Sequence, residues 1–460
     1  MQRTSSVVRN VVRRRGVWTP WLAGALVLFG AVLGAAEPKN QTPPDPWLVQ
    51  ARTDRPEALY KCGETARFTI TATRDGKPPT AAKVTAVLTL DGGRVIETKE
   101  LDLSAGPVTL SGTLNQPGFL RLTVTVSAAE ERRQALAAAG FDPEGIRKAT
   151  VEPADFDQFW EDGRKRLASL PADPRLTRLD AQCNAKAEVY ALSFANLGET
   201  RIYGFLCVPL GQKGPFPAWV SVPGAGPGPF GPSGKNYAER GVLALTMGVH
   251  AYDVGGLPRE DLEAAYKELN RTLTYSHHGA PDREAYYFRR AFLGIDRAIS
   301  WLAARPDYDG KHLVIDGSSQ GGASALILAG LNRAITAAAA NVPALCDHGG
   351  YLAGRAPGWP RLVKGNTDEE KRPFLDMAGY FDAAHFARRI TGPVIVSAGF
   401  IDLTCSPSSV YAAFNEIRTP KRLFNGPLNG HEMNVGDYRA YVGPWVEGQL
   451  GLTTPTEPKQ

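Results

Sequence analysis

One stretch decides the fold of this 460-residue chain: Leu313-Val314-Ile315-Asp316-Gly317-Ser318-Ser319-Gln320-Gly321-Gly322. A short apolar run ends there in Gly-x-Ser-x-Gly, and residues 323–331, rich in Ala and Leu, predict a helix directly after it. Ser319 then lies on a strained turn between strand and helix, where its hydroxyl projects from the sheet edge. Glycines stand two residues before and after Ser319 because side chains there would collide as the strand turns into the helix. The pattern predicts a nucleophilic serine, and an inert serine in a glycine-rich turn is the alternative.

Strands and helices alternate around this unit. Apolar runs predict buried strands at 189–194, 202–208, 218–222, 242–246, 335–342, 393–398 and 421–424. Helices are predicted after Pro153, over 286–304 and near the C-terminus. Residues 249–285 are irregular and polar, and we interpret them as a lid or as an insertion that lines a pocket. The alternation predicts an α/β fold with a mostly parallel sheet that is covered on both faces.

The region before these elements has a different periodicity. Between about residues 47 and 128, apolar and polar residues alternate, and turn signals such as Asp91-Gly92-Gly93 separate the runs. Five to seven short strands predict a small immunoglobulin-like β-sandwich. A structural or oligomerising role is favoured for it over carbohydrate binding. Residues 130–140 could form a helix or a connecting arm.

The first 36 residues have the pattern of an export signal. Five arginines and no acidic residue are followed by the apolar run 21–33 and by the small residues 34–36. The pattern predicts a secretory signal peptide, with an uncleaved membrane anchor as the alternative. We expect a periplasmic or extracellular protein without stable membrane association after cleavage. The predicted division is a signal peptide (1–36), a β-sandwich domain with its N-terminal linker (37–130) and the α/β domain (131–460).

The charge pattern gives no indication of nucleic acid as a partner. The net charge of +5 comes entirely from residues 1–36, so the remainder of the chain is neutral and a neutral partner is expected. The five cysteines lack CxxC or metal spacing, and such an odd, sparse set argues against a disulfide framework. His277 and His278 are adjacent, but no carboxylate or Cys stands at ligand spacing from them. We therefore expect neither a metal nor a cofactor.

Hydrolysis of an ester needs a nucleophile, a base and a group that orients the base. Asp402 follows the penultimate predicted strand, and His431 follows the last one. Ser319, Asp402 and His431 therefore occur in the chain order of the α/β-hydrolase triad. Glu432 and Asp437 are alternatives to Asp402 as the orienting acid. The order predicts the catalytic set Ser319, Asp402 and His431.

The same reaction needs hydrogen-bond donors for the oxyanion. The backbone N–H of Gln320, at the start of the helix after Ser319, is predicted as one donor. The N–H of Ala225, in the glycine-rich loop after strand 218–222, is predicted as the second. A plain surface loop is the alternative for that segment.

Six segments carry a resemblance to a known family: Asp155-Phe156-Asp157-Gln158-Phe159-Trp160, Tyr286-Tyr287-Phe288-Arg289-Arg290, Gly317-Ser318-Ser319-Gln320-Gly321-Gly322, Val342-Pro343-Ala344-Leu345-Cys346-Asp347, the Asp402 segment through Pro407-Ser408-Ser409-Val410-Tyr411, and His431-Glu432. On these residues, the region from about 151 to 450 resembles the acetyl xylan esterase / cephalosporin C deacetylase family of carbohydrate esterases. The resemblance implies an α/β-hydrolase domain in which Ser319 is the nucleophile, Asp402 orients, and His431 is base and then acid.

Two segments depart from the family pattern. Where the family usually carries Arg-Gly-Gln, this chain has Met247-Gly248-Val249-His250. Where its preceding loop is typically His-Gly-Tyr, this chain has Pro223-Gly224-Ala225. A backbone donor survives both changes, so catalysis is compatible with them. Typical members are compact oligomers without an N-terminal sandwich, so neither their assembly nor their substrate preference transfers directly.

These observations predict an exported serine esterase that removes acetyl or similar short acyl groups from a polysaccharide or oligosaccharide through an acyl-enzyme. Its oligomeric state is left open. A serine peptidase of the same fold is one alternative, although such peptidases usually carry a far larger N-terminal β domain. A non-catalytic carbohydrate-binding or scaffold protein is the other.

Overall fold

The structure, a computed structural model, describes residues 45–433 and 435–452. The described residues from Pro46 onward belong to one compact unit. The predicted signal peptide, residues 1–36, lies outside the described residues. None of the helices in the described part of the chain combines the length and the hydropathy that crossing a lipid bilayer requires.

A two-sheet sandwich forms the N-terminal part of the described chain. Its strands are β1 (Trp47–Thr53), β2 (Leu59–Tyr60), β3 (Ala66–Arg74), β4 (Lys83–Leu90), β5 (Val95–Leu101), β6 (Val108–Gly112), β7 (Gly118–Ala128) and β8 (Glu131–Phe141). One sheet has the order β1-β3-β6, and the other has the order β2-β8-β7-β4-β5. Alternate residues of these strands, such as Phe68, Ile70 and Leu122, fill a shared apolar core. The predicted sandwich is confirmed, and its likeness to immunoglobulin domains stays a prediction.

The last strand of the sandwich corrects one prediction. A helix or connecting arm over residues 130–140 is wrong, because β8 pairs antiparallel with β7 along its whole length. The run Ala135-Leu136-Ala137-Ala138-Ala139 favours a helix by intrinsic propensity, but pairing with β7 and burial outweigh that preference. The hairpin extends the sandwich to Phe141, so the predicted division between 130 and 131 falls inside it.

A nine-stranded sheet is the centre of the part of the chain that follows the sandwich. Its strands are β9 (Arg175–Arg178), β10 (Ala187–Ala195), β11 (Arg201–Pro209), β12 (Phe216–Val222), β13 (Leu243–Met247), β14 (Tyr308–Ser318), β15 (Ala337–Asn341), β16 (Val394–Gly399) and β17 (Lys421–Gly426). The order is β17-β16-β15-β14-β12-β13-β11-β10-β9. Strands β12 to β17 are mutually parallel, and only β9, β10 and β11 join antiparallel. The mostly parallel sheet is confirmed, and the carboxyl ends of its parallel strands meet at one edge.

Helices cover both faces of this sheet. They are α1 (Phe156–Ala168), α2 (Lys235–Ala238), α3 (Arg259–Leu269), α4 (Tyr287–Ala303), α5 (Gln320–Leu331), α6 (Asp368–Ala378), α7 (Ala383–Ala387), α8 (Pro407–Glu416) and α9 (Val435–Gln449). Along β15, Ala338 and Ala340 belong to the main core with α4 and α5, whereas Ala337 and Ala339 belong to the core under α9. This alternation is what a parallel strand buried on both faces requires.

Residues 249–285 are more regular than the sequence suggests. Helix α3 begins after Pro258 and has Glu260 and Asp261 in its first turn, where the helix dipole favours acidic side chains. Only Leu262 of this helix is buried. Local signals therefore account for the helix, including the ion pair between Arg259 and Glu263 one turn later, and the interpretation of the whole stretch as irregular was wrong.

The sandwich packs directly on the hydrolase domain. Phe119 of β7 and Ala138 of β8 belong to the main hydrolase core. The Phe119 ring centroid lies 4.9 Å from that of Phe400, edge to face, and 5.5 Å from that of Tyr411. Such aromatic pairs contribute about 0.5–1.5 kcal/mol beyond their buried area. The contact matters because Phe400 stands two residues before Asp402.

Candidate active site

Ser319 lies at the apex of a strand-turn-helix unit, as predicted. Strand β14 ends at Ser318, helix α5 begins at Gln320, and Ser319 between them has φ 59° and ψ −118°. A non-glycine residue in this region of backbone space is strained by roughly 1–3 kcal/mol. The surrounding hydrogen bonds hold it there, since its N–H donates to the Asn341 carbonyl at 2.9 Å and its carbonyl accepts from the N–H of Ala344 at 3.0 Å.

The two flanking glycines have no room for side chains. A Cβ on Gly317 would lie 2.4 Å from the backbone carbon and oxygen of Gly321. A Cβ on Gly321 would lie 2.0 Å from the Val222 carbonyl oxygen. The collision expected from the sequence is therefore present on both sides of Ser319, and it involves the neighbouring strand β12 as well.

The structure brings Ser319, His431 and Asp402 together. The distance from His431 Nε2 to Ser319 Oγ is 2.9 Å, and that from His431 Nδ1 to Asp402 Oδ2 is 2.8 Å. A carboxylate only accepts, so Nδ1 carries the proton and donates it to Asp402. Nε2 is then the acceptor for the Ser319 hydroxyl. This is the arrangement in which the imidazole can remove the serine proton.

Asp402 is oriented by its own turn. Its side chain is fully buried, and its Oδ1 accepts the N–H groups of Thr404 and Cys405 at 2.7 and 2.9 Å. The second carboxylate oxygen is thereby directed at His431. The side chains of the alternatives, Glu432 and Asp437, are exposed.

The predicted oxyanion donors lie on two segments that meet at Ser319. Gln320 is the first residue of α5, and N–H groups in the first turn of a helix have no intrahelical acceptor. The loop that carries Ala225 reaches the serine through Gly224, where a Cβ would lie 3.8 Å from that of Ser319. Ala225 itself is exposed. Its assignment as the second donor stays a prediction.

The Gln320 side chain connects the two segments. Its Nε2 donates to the Pro223 carbonyl at 3.5 Å, and its Oε1 accepts from the Tyr275 hydroxyl. Sequence reasoning used only the backbone of Gln320, because the partners of its side chain are about 45 and 97 residues away.

Asp402 and His431 of the triad also form, with Cys405, a cluster that resembles a metal site but is better described as hydrogen-bonded. Within the described residues, potential ligand atoms of Asp402, Cys405 and His431 lie within 4.8 Å of one another. The Asp402–His431 contact is a hydrogen bond, and the other Asp402 oxygen already accepts two N–H groups. Burial raises the pKa of the Cys405 thiol well above its usual value, which disfavours the thiolate that binds metals. The geometry therefore matches a serine–histidine–acid triad.

A cleft of about 880 Å³ runs along the loop from Pro223 to Ser233 and borders Ser318. Phe230 and Asn341 also line it. A larger cleft of about 1260 Å³ lies between the sandwich and the hydrolase, and its lining contains none of the three triad residues. The lining of the smaller cleft also lacks the three triad residues, but it includes Gly317, Ser318 and Gly224, which adjoin Ser319.

Known proteins share this sequence and this fold. The profile of the acetyl xylan esterase (AXE1) family matches residues 144–446. Acetyl esterase Axe7A of Xylanibacter ruminicola is 32% identical over 382 residues, which cover 81% of this chain and 84% of that protein. The chain belongs to the acetyl xylan esterase family. It is accordingly a carboxylic ester hydrolase that acts on carbohydrate esters.

Two solved acetyl xylan esterases have the same fold as the hydrolase domain. Acetyl xylan esterase 1 of Thermoanaerobacterium sp. JW/SL YS485 has a TM-score of 0.56 and 24% identity, and it covers 68% of this chain and 98% of its own. The enzyme of Paenibacillus sp. R4 has a TM-score of 0.57 and 23% identity over 66% and 98%. The alignment with Axe7A is longer than the stretch from residue 144 to the C-terminus, so it includes part of the sandwich.

The two segments that depart from the acetyl xylan esterase pattern lie in neighbouring loops that contact each other. His250 Nε2 donates to the Gly226 carbonyl at 2.9 Å, and the Tyr252 hydroxyl donates to the Pro227 carbonyl at 2.9 Å. His250 of the first departure therefore bonds Gly226, the residue directly after the second departure, and Tyr252 bonds the next residue of the same loop. Sequence reasoning identified both departures but not this contact between them.

Proposed function

We propose that this acetyl xylan esterase family member is an exported serine esterase that removes acetyl or similar short acyl groups from a polysaccharide or its fragments. The observation that carries the proposal is the continuous hydrogen-bonded set Ser319–His431–Asp402 on the strained turn after β14. The name of the relative Axe7A, an acetyl esterase, supports an acetyl group as the acyl group removed.

The proposed reaction has two halves. In the first, Ser319 Oγ attacks the acyl carbonyl carbon while His431 Nε2 takes the serine proton. The N–H groups of Gln320 and Ala225 stabilise the negative oxygen of the tetrahedral intermediate. The bond to the sugar oxygen then breaks, and His431 returns the proton to that oxygen, so the sugar leaves as a free alcohol.

In the second half, a water molecule attacks the acyl-enzyme. His431 takes a proton from the water, and the bond between Ser319 Oγ and the acyl carbon breaks. The proton passes to the serine oxygen, which regenerates the enzyme and releases the carboxylic acid. Asp402 keeps Nδ1 protonated throughout and stabilises the imidazolium that forms in each half.

Export is part of the proposal. Residues 1–36 supply the positive, apolar and small-residue regions of a signal peptide, and the remainder of the chain has no net charge. An extracytoplasmic location matches a substrate that is a polymer. Family membership favours the esterase over the serine peptidase and over a non-catalytic scaffold.

Replacement of Ser319 by alanine tests the proposed chemistry. Hydrolysis of p-nitrophenyl acetate should fall by several powers of ten in kcat, because no other group supplies the attacking oxygen. Acetate release from acetylated xylan, measured in parallel, should fall with it. Ser324→Ala is the matched control, since this buried serine lies one turn further along α5 and its hydroxyl donates to the Gln320 carbonyl.

The outcomes separate the parts of the proposal. Loss of both activities in Ser319→Ala but not in Ser324→Ala supports the serine esterase and its polysaccharide substrate. Activity of the unaltered protein on the small ester alone would remove acetylated xylan as the target. Full activity of Ser319→Ala, or an unaltered protein that fails to react with a fluorophosphonate, would contradict the serine mechanism.

A further inference from the structure

The sandwich contributes a buried ion pair at its contact with the hydrolase domain. Arg121 of β7 and Asp91, in the turn after β4, are 3% and 0% exposed, and Arg121 Nη2 donates to Asp91 Oδ1. The turn is fixed from within the sandwich, because the Asp91 N–H donates to the Phe119 carbonyl and the Gly92 N–H donates to Thr89 Oγ1. Both charged groups are thus held rigidly at the domain contact.

Both members of the pair also bond the hydrolase domain. Arg121 Nη2 donates to the backbone carbonyl of Asp402 at 2.9 Å, across 281 residues of sequence. Asp91 Oδ2 accepts the N–H of Ser408, in the first turn of α8, at 2.8 Å. We call residues 402–408 the acid turn. One ion pair of the sandwich therefore contacts both ends of the acid turn.

Close packing surrounds these bonds. The Arg94 N–H donates to the Gly354 carbonyl at 2.8 Å, and a Cβ on Gly93 would lie 2.2 Å from that carbonyl oxygen. On the other side, the Phe119 ring packs against Phe400. A shift of the acid turn relative to the sandwich would break the bonds from Arg121 and Asp91 to Asp402 and Ser408.

A buried ion pair at this contact is better suited to fixing the backbone geometry of the acid turn than to joining two domains. A buried ion pair costs desolvation energy that an apolar pair of the same volume would avoid, so it is a poor device for simply joining two domains. Arg121 even leaves its Nε without an acceptor among the described residues. The pair fixes the backbone of the acid turn, because its hydrogen bonds to Asp402 and Ser408 are directional.

We propose that Arg121 and Asp91 are positioning residues for the triad, and that the N-terminal sandwich serves to hold Asp402 at the distance and angle that His431 requires. This inference rests on the proposed function and assigns the sandwich a role in that site. The carboxylate of Asp402 is set by the turn's own N–H groups, and its carbonyl is set by Arg121. The domain therefore acts on the rate of the chemistry and not on the binding of substrate.

The test replaces the pair without leaving a buried charge unpaired. In Arg121→Met/Asp91→Asn, both charges are removed, while the asparagine amide oxygen can still accept from Ser408. A displacement of about 1 Å in a catalytic group costs on the order of 100-fold, so we expect kcat on p-nitrophenyl acetate to fall roughly 10- to 100-fold. KM should stay within about threefold, because only interactions in the transition state are affected. Arg121→Lys, which keeps the charge and one donor, should recover part of kcat.

A matched control breaks an ion pair elsewhere in the hydrolase. Arg389 bonds Glu152 and Asp157 and lies beside Gly330 and Leu331, at the far end of α5 from Ser319. Arg389→Met should lower the melting temperature with kcat unchanged. A third readout is the downfield NMR signal of the proton shared by His431 Nδ1 and Asp402, which should shift in the Arg121 variants and not in Arg389→Met.

Each result either supports or overturns the positioning role. A fall in kcat with a changed His431 signal, seen only in the Arg121 variants, supports the positioning role. Unchanged kcat in a folded double variant, or an equal loss in Arg389→Met, overturns it. If the double variant does not fold, Arg121→Lys alone is measured, because it keeps the buried pair charged. Wild-type kcat with an unchanged His431 signal in that variant also overturns the inference. Full activity of Ser319→Ala would instead overturn the proposed function, so the two failures are distinguishable.

Discussion

Backbone strain and close packing coincide at Ser319. Its φ of 59° places the hydroxyl in front of the sheet edge, and hydrogen bonds to Asn341 and Ala344 oppose relaxation of the turn. The glycines on both sides allow β14, α5 and β12 to approach so closely. Enlargement of one of these glycines should therefore destabilise the turn more than the loss of one hydrogen bond would.

Gly321→Ala tests this at the residue scale. The added Cβ would lie 2.0 Å from the Val222 carbonyl, so strand β12 or helix α5 must move. We expect a loss of at least about 2 kcal/mol in the free energy of unfolding, measured by urea denaturation. Gly443→Ala in α9 is the control, since nothing lies within 4 Å of its Cβ position. There alanine should be neutral or stabilise by up to about 1 kcal/mol. Equal effects of the two substitutions would contradict the packing argument.

The loop from Pro223 to Gly228 is an element held almost entirely by side chains of other segments. His250, Tyr252 and Gln320 each donate to one of its carbonyls. His250 is itself enclosed by four tyrosine rings, those of Tyr252, Tyr266, Tyr275 and Tyr287. Its Nδ1 accepts from the Tyr287 hydroxyl because Nε2 must donate to the Gly226 carbonyl. The loop that carries the predicted second oxyanion donor is thus bonded by a histidine whose Nδ1 accepts and whose Nε2 donates.

Burial in this aromatic enclosure lowers the pKa of His250 to about 4, and the nearby Arg290 acts in the same direction. Between this value and the ordinary histidine pKa near 6.5, the unfolded chain binds the extra proton and the folded protein does not. Stability should therefore decrease as pH falls through this window. Because of this one group, the free energy of unfolding should be about 3 kcal/mol lower below pH 4 than at neutral pH.

Thermal unfolding of the wild type and of His250→Gln from pH 7.5 to pH 4 measures this contribution. Glutamine keeps an N–H for the Gly226 carbonyl but does not titrate. We expect the stability difference between the two proteins to shift in favour of the variant as the pH is lowered. Parallel curves for the two proteins would show that His250 is not the buried neutral group described above.

At the scale of the whole molecule, sandwich and hydrolase share one core. Phe119 and Ala138 of the sandwich are counted among the buried residues of the hydrolase, and the sandwich reaches the acid turn through Arg121 and Asp91. The five cysteines are all unpaired, so this junction is held by packing and polar bonds without a disulfide.

The export proposal predicts a defined mature N-terminus. When the full chain is produced in a Gram-negative host, the protein recovered outside the cytoplasm should begin near Glu37, after Gly34-Ala35-Ala36. Mass spectrometry of the intact protein measures this directly. A chain that lacks residues 1–36 is the control and should stay in the cytoplasm. An uncut chain found in the membrane fraction would favour the membrane-anchor alternative.

The sequence by itself determined the features that neighbours along the chain control. The Gly-x-Ser-x-Gly unit, the parallel strands and helix α4 were predictable because apolar periodicity and turn residues are local signals. The triad residues followed from their order after particular strands, since parallel strands deliver their carboxyl ends to one edge. Export, too, was predictable only as a local pattern, and it remains a prediction.

Only the tertiary structure decided the features whose partners are far apart in sequence. The alanine-rich β8 is a strand because β7 is available to pair with it. The bond from Arg121 to Asp402 spans 281 residues, and no periodicity or motif in either segment predicts it. Such contacts depend on how the sandwich and the α/β part of the unit pack together, so the link between the sandwich and the acid turn could be seen only in the folded molecule.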